Sequence, residues 1–336
     1  MPDLDPLHFN GDGAPASVQW FQPGGRTIYV RPSDWNAEAG TGRATSEALL
    51  RDRDRDRKLA VLACLAQHHY LTTAHVETLL FSSSRVAQLH LRRLEDWGLV
   101  LRWHQMEPRE VGGWRRQPDL FLLSDWGARL HALSQRQDPV PVTKRAAAAF
   151  RYALHIDHSL GVNGFFAGVI QASRELTEEG LYHWVGDDGV RRAFQDRGID
   201  LALDGWGRYL AGDREIHFYL EWDRGTEHPQ RLHTKARAAA EAGRSQVLWV
   251  APWPAREQTI RAAIDRQIGR GSAWTTHLGL LSESGPLGAI WLPCPEPGRR
   301  GRLSELPGQP RSARRLEDCL GRPGWWKRRP GGTEGM

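Results

Sequence analysis

Ile216-His217-Phe218-Tyr219-Leu220-Glu221-Trp222-Asp223 is the stretch whose reading decides the fold. Apolar Ile216, Phe218, Leu220 and Trp222 alternate with His217, Tyr219, Glu221 and Asp223. A period of two marks a strand with one face toward a core and one away from it. Glu221 and Asp223 therefore share a face. Upstream, Ile199, Leu201 and Leu203 alternate with Asp200, Ala202 and Asp204, and the stretch 205–215, with three glycines and four charges, predicts a hairpin loop. Folding back there brings Asp200 level with Glu221. Like charges repel, so acids gathered at one end of a hairpin are a poor structural device, whereas a hard divalent cation requires such ligands. The expectation is a metal-dependent phosphodiester site in which Asp200 and Glu221 hold one magnesium ion (Mg2+), with Asp223 as a third or water-mediated ligand.

Composition bounds the rest. A chain of 336 residues, 40% hydrophobic and 25% charged, has room for two domains with cores of their own. Cys64, Cys294 and Cys319 lie far apart without metal-ligand spacing, which excludes a disulfide framework and a zinc ribbon and suits a reducing cytoplasm. Neither a secretory leader nor an apolar run of about 18 residues is present, so no membrane partner is expected. The net charge of +5 is unevenly placed: residues 299–336 carry +6 and the remainder −1. That points to a loosely held polyanion-binding arm or to a solvated terminus.

Residues 1–57, rich in Gly, Pro, Asp and Ser, predict no core, and Arg51 to Lys58 alternates sign as a solvated lead-in. From 58 to 133 the order changes. Helical spacing at Leu59, Leu62 and Leu65, start signals at Leu71-Thr72-Thr73 and Ser82-Ser83-Ser84, and a stop at Gly98 give three helices. Strands at 99–103 and 119–123 then flank a loop, and Ser124 caps a further helix. Helix, helix, helix, strand, loop, strand, helix is the order of a winged helix-turn-helix. Its third helix enters the major groove of double-stranded DNA while the wing flanks the phosphates. Val86, Leu89, Leu94 and Trp97 are expected inward, leaving Arg85, Gln88 and Arg92 outward, with Arg109, Arg115 and Arg116 in the wing. Arg and Gln read guanine and adenine edges. A merely solvated helix face and loop is the alternative, since winged helices also serve protein contacts.

A linker at 134–149 precedes a second domain at 150–293, read as helix, strands, helix, strand, helix: a mixed α/β core. The tail, 294–336, predicts no fold. His155 and His158, without a third ligand nearby, read as hydrogen bonders at the edge of the core.

The chain resembles the replication-relaxation family over roughly residues 58–293. The likeness is carried by Leu120-Phe121-Leu122-Leu123-Ser124 with Trp126-Gly127, His155-x-x-His158, Ile199-Asp200-Leu201-Ala202, and Leu220-Glu221-Trp222-Asp223-Arg224-Gly225-Thr226 followed by Lys235. The second half also resembles the restriction-endonuclease-like PD-(D/E)XK fold. That resemblance implies an Asp, an acid on the next strand, a Lys two residues later, and magnesium. Asp200 and Glu221 match the acids. Asp223 stands where the Lys is expected, with Lys235 placed as a displaced substitute. The family implies a part in plasmid or mobile-element replication or mobilisation, alongside other replication or mobilisation proteins. Two outcomes stay open: a magnesium-dependent endonuclease, or a non-catalytic DNA-binding replication accessory or regulator with a degenerate nuclease fold. An adaptor for other proteins is a third.

Overall fold

A computed structural model of the chain describes residues 18–21, 27–30, 42–108, 114–136, 156–228, 230–235, 246–264, 273–294, 298–312, 314–323 and 325–328. The architecture is mixed α/β, in two compact units, Met1–Ile156 and Asp157–Met336.

The first unit begins with β1 (Val18–Phe21), β2 (Thr27–Val30) and α1 (Gly42–Arg51), and Leu49 of α1 is buried. Order therefore starts earlier than the composition of residues 1–57 suggested. β2 adds to the sheet edge at β4, and Leu49 gives α1 an apolar anchor. Next come α2 (Arg55–His68), β3 (Leu71–Thr72), α3 (Thr73–Leu80), α4 (Ser84–Asp96), β4 (Val100–Pro108), β5 (Trp114–Leu123) and α5 (Asp125–Ser134). The sheet runs β1-β2-β4-β5-β3. Each helix start signal acts as a cap. Thr72 Oγ1 accepts from the His75 amide, Ser83 Oγ from Val86 and Ser124 Oγ from Gly127, satisfying donors that the first helical turn leaves open. Gly127 has a steric reason to be glycine: a methyl group there would lie 2.0 Å from the Leu99 carbonyl oxygen. The charge run before α2 is not wholly solvated. Lys58 is 2% exposed and donates to Asp52 at 2.7 Å. The linker expected at 134–149 falls, from 137 onward, outside the described residues.

The second unit is a seven-stranded mixed sheet in the order β11-β10-β9-β8-β7-β6, with β12 on β8. Its elements are α6 (Ile156–Ser173), β6 (Glu179–Gly186), α7 (Asp187–Gln195), β7 (Gly205–Ala211), β8 (Arg214–Trp222), a helical turn at 230–235, β9 (Gln246–Ala251), α8 (Pro254–Ile264), β10 (Ala273–His277), α9 (Leu278–Ser284), β11 (Leu292–Cys294), β12 (Gln309–Pro310) and α10 (Trp325–Arg328). β8, β9 and β10 are parallel neighbours and the remaining pairs are antiparallel.

The stretch 216–223 is the central strand, but both of its faces are covered. Phe218 meets Phe165 and Phe166 of α6, and Trp222 lies against Gly161. On the other face Tyr219 joins Phe194, Leu232, Trp249 and Ile260 in a core under α7 and α8. The hairpin differs from expectation. Residues 199–203 are irregular, although Leu201 and Leu203 are buried, and the partner strand is the segment read as a loop. Its turn is Gly212-Asp213, closed by the pair Ala211↔Arg214, with Gly212 at φ +59°. Glycine in a two-residue hairpin turn supplies that positive φ without strain.

Residues 298–312, 314–323 and 325–328 of the tail are folded as well. β9 covers β8 only from Phe218 onward, and β12 pairs with Arg214 and Glu215 beyond it. An exposed strand edge is thereby closed. Leu303, Leu306 and Cys319 are fully or nearly fully buried, and Ser312 donates to Glu215. Over the described residues, the expectation of an unfolded arm at 294–336 thus fails because its scattered leucines complete this unit's core; residues 329–336 lie outside the described residues.

Candidate functional site

Moving the hairpin register changes which acid meets Glu221. With Gly205 opposite Leu220, the residue level with Glu221 is Asp204, whose amide donates to the Leu220 carbonyl at 3.0 Å. Asp200 is exposed in the preceding loop. Asp204 is fixed on both oxygens: Oδ1 meets His158 Nε2 at 2.9 Å and Oδ2 accepts the Trp222 amide at 2.7 Å. His158, one of the two histidines noted in the sequence, thus bonds across from the first turn of α6; His155 lies outside the described residues. Burial works against charge on either partner of this pair. The mutual attraction prevails, lowering the Asp204 pKa and raising that of His158.

Glu221 is 1% exposed. Its Oε1 accepts from Lys235 Nζ, which also donates to Glu227 Oε1 at 2.8 Å. Lys235 therefore does reach the acid, as its displaced position suggested. Burial first, and the Asp204 charge second, push the Glu221 pKa well above the usual carboxylate value, with Lys235 opposing them. Burial disfavours charge on Lys235, but Glu221 and Asp204 outweigh it and keep the amine protonated. Among the described residues, Glu221 Oε2 and Glu227 Oε2 are buried without a hydrogen-bond partner. Such an atom costs free energy unless a ligand or a proton satisfies it.

Asp223 does not join the cluster as a ligand. Its carboxylate is clasped by Arg256 of α8 at 2.6 and 3.0 Å, and the same guanidinium donates to the Glu227 carbonyl at 2.7 Å. Of the expected acids, then, the structure keeps Glu221, sets Asp200 apart and spends Asp223 on a buried ion pair. It adds Asp204, His158 and Glu227. Asp204 lies in the same sequence alternation as Asp200, but a hairpin loop placed at 205–215 sets Asp200, not Asp204, level with Glu221. Glu227 and Arg256 carry no local signal, because only the loop folding over the end of the strand brings them in.

In the first unit, α4 turns Ala87, His90, Leu91 and Leu94 inward and leaves Arg85, Gln88 and Arg92 exposed. Leu89, expected inward, is 65% exposed among them, and Val86 and Trp97 are half-buried. Arg115 and Arg116 are exposed on β5, Arg116 donating to Asp119 at 3.0 Å; Arg109 lies outside the described residues. Among the described residues, no helix is long and apolar enough to cross a membrane.

Comparison with curated proteins and with solved structures returned no match. The model of the replication-relaxation family matches residues 62–247, from the interior of α2 through β8 and into β9, more than half of the chain. The chain belongs to the replication-relaxation family.

Proposed function

We propose that this chain is a DNA-binding protein acting in the replication or mobilisation of a plasmid or other mobile element, in the cytoplasm and alongside other replication or mobilisation proteins. In this reading the first unit is a winged helix and the second a restriction-endonuclease-like, PD-(D/E)XK-type domain. The observation that carries it is α4, a helix after a capped turn. It buries one stripe and presents Arg85, Gln88 and Arg92 on the other, followed by a two-stranded hairpin with exposed Arg115 and Arg116. Those residue types suit base edges on the helix and phosphates on the wing of double-stranded DNA.

The activity assigned to the second unit is magnesium-dependent DNA cleavage at Glu221, Asp204 and Lys235. Glu221 Oε2, a hard oxygen buried without a partner among the described residues, is the atom such an ion would take, while both Asp204 oxygens are already engaged by His158 and the Trp222 amide. Bound magnesium would stabilise phosphate charge and acidify a water. The chain's own part is to fix Asp204 through His158 and the Trp222 amide and to hold the Lys235 amine beside Glu221. A non-catalytic, DNA-binding role is the second reading. It is favoured by Asp223, which carries an acid where the nuclease lysine is expected, and by the closure of Lys235 on two glutamates.

Salt titration of DNA affinity tests the first unit. Arg115→Ala and Arg116→Ala should each reduce the salt slope by about one unit, and truncating any one base-reading side chain of α4 should cost about 1–3 kcal/mol of discrimination. Unchanged affinity and discrimination in an Arg85→Ala/Gln88→Ala/Arg92→Ala variant of intact circular dichroism removes α4 from the interface. Cleavage assays with magnesium and manganese test the second unit: Glu221→Gln should abolish cutting and retain binding. A wild-type protein that binds DNA and never cuts it selects the non-catalytic reading.

A further inference from the structure

We propose that Trp253 is a stacking platform for an unpaired nucleobase beside the Glu221 centre, so that the strand presented there is single-stranded; this rests on the reading of the second unit given above. Trp253 is 50% exposed, in a unit that buries Trp184, Trp206, Trp249 and Trp291. It leaves the sheet directly after β9, at the end where β8 finishes: Trp222 pairs with Val250, and the Asp223 amide donates to the Val250 carbonyl at 3.0 Å. The indole is thereby delivered to the rim that carries Glu221.

The loop leaving β8 holds the ring in place. Gly225, at φ +76°, lies so close that a methyl group there would be 2.6 Å from the indole Cη2. Arg256, whose amide donates to the Trp253 carbonyl at 3.1 Å, binds both Asp223 and the Glu227 carbonyl, and Glu227 in turn holds Lys235 on Glu221. The exposed ring is thus tied through named contacts to the acidic centre.

The chemistry around it selects the ligand. Arg224 is exposed one residue before Gly225, whose backbone lies against the indole, and Arg231, on the helical turn that follows, is 73% exposed and meets Glu227 at 3.7 Å. A single exposed indole beside a loop that carries an exposed arginine is too small to be an apolar protein-docking patch. Aromatic faces set among basic side chains are how unpaired strands are held, and every base offers a π-face. A base within a duplex is already stacked on both sides, so the ligand is an unpaired strand.

The test uses the full chain carrying Arg85→Ala/Gln88→Ala/Arg92→Ala, which removes the proposed duplex reader, and a mixed-sequence single-stranded oligodeoxynucleotide as the probe. Adding Trp253→Ala should weaken binding by roughly 5- to 150-fold, the span expected for removing one base stack, whereas Trp253→Phe should restore most of it. Equal affinity with and without Trp253→Ala, or an equal loss in Trp253→Phe and Trp253→Ala, overturns the platform. Magnesium- and manganese-dependent cleavage by the protein with Trp253 intact is measured in parallel. Its absence overturns the reading of the second unit, and its presence beside an unresponsive Trp253 overturns only the stacking platform.

Discussion

Replacing Lys235 by Met keeps most of the aliphatic stem and removes the cation that faces Glu221. The side chains are 15% and 2% exposed, so water does not take over the role of the amine. Breaking a buried pair by removing one partner costs about 3–5 kcal/mol, because the remaining charge is uncompensated. Protonation of Glu221 limits that loss. Its pKa in the folded protein already lies above the ordinary 4.5 and rises further without Lys235. An acid with a raised folded pKa contributes stability that is present below its unfolded value and lost as pH climbs toward the folded one. The deficit of Lys235→Met relative to wild type should therefore be small at acid pH, where Glu221 is protonated in both folded proteins. It should grow, by up to about 1.4 kcal/mol per pH unit, only as pH rises through the raised folded pKa of Glu221 in wild type. Urea unfolding across that range reads the effect directly, and at the upper end the melting temperature should fall by roughly 6–20 °C. Adding Glu221→Gln to Lys235→Met should recover most of the loss. If the Glu221 oxygens accept magnesium, the ion should stabilise Lys235→Met by about 2.7 kcal/mol at a hundredfold excess over that variant's own dissociation constant. A deficit below about 1 kcal/mol that does not change with pH would refute the argument from burial.

Two further outcomes concern the same unit. Leu303→Ala and Leu306→Ala, at side chains with 0% exposure, should each destabilise it by about 2–5 kcal/mol in thermal or urea unfolding, and removal of residues 299–336 should unfold it; unaltered melting would mean the tail is only laid on the surface. The raised pKa of His158 gives the His158–Asp204 pair a stabilising effect that is full below about pH 6.5 and lost as pH rises through the folded value, so His158→Gln should flatten that decline; identical pH–stability curves for wild type and variant would exclude a charged His158.

The first unit was legible because its signals are local. Thr72, Ser83 and Ser124 each bind an amide three residues away, and Gly98 stops α4 at φ +66°, so short windows of sequence contain both partners. The rotation of α4 is less legible. Taking Val86 and Leu89 as the buried stripe rather than Ala87, His90 and Leu91 turned α4 by about one residue, since small Ala87 and polar His90 do not advertise burial. His90 is buried because its ring packs on Phe81 at 4.7 Å, a contact from outside its own helix.

In the second unit the glycines are ambiguous in sequence, and that ambiguity carries straight into the site. Gly205 and Gly207 read as loop residues, yet they sit mid-sheet because side chains there would collide with the aromatic core. A methyl group at Gly205 would lie 2.7 Å from Phe166, and one at Gly207 2.4 Å from Phe218. A glycine required by packing and a glycine required by a turn are the same letter, and only the partner aromatic on α6 or β8 tells them apart. Placing the turn at Gly212 instead of across 205–215 moves the strand opposite Glu221 by a few residues. Asp204 then takes the place given to Asp200. The alternation pointed to acids meeting near Glu221; which acids they are is decided by register, which here goes with the Gly212-Asp213 turn and with the close packing of Gly205 on Phe166 and Gly207 on Phe218. The same dependence explains Asp223. Its fate rests on Arg256, which lies 33 residues away in sequence and is brought in by the parallel crossover from β8 through β9 to α8. A substitution that reshapes the ring contacts, Gly207→Ala for instance, should therefore disturb the Glu221 centre from the far side of the sheet. It would do so without altering any residue that belongs to that centre.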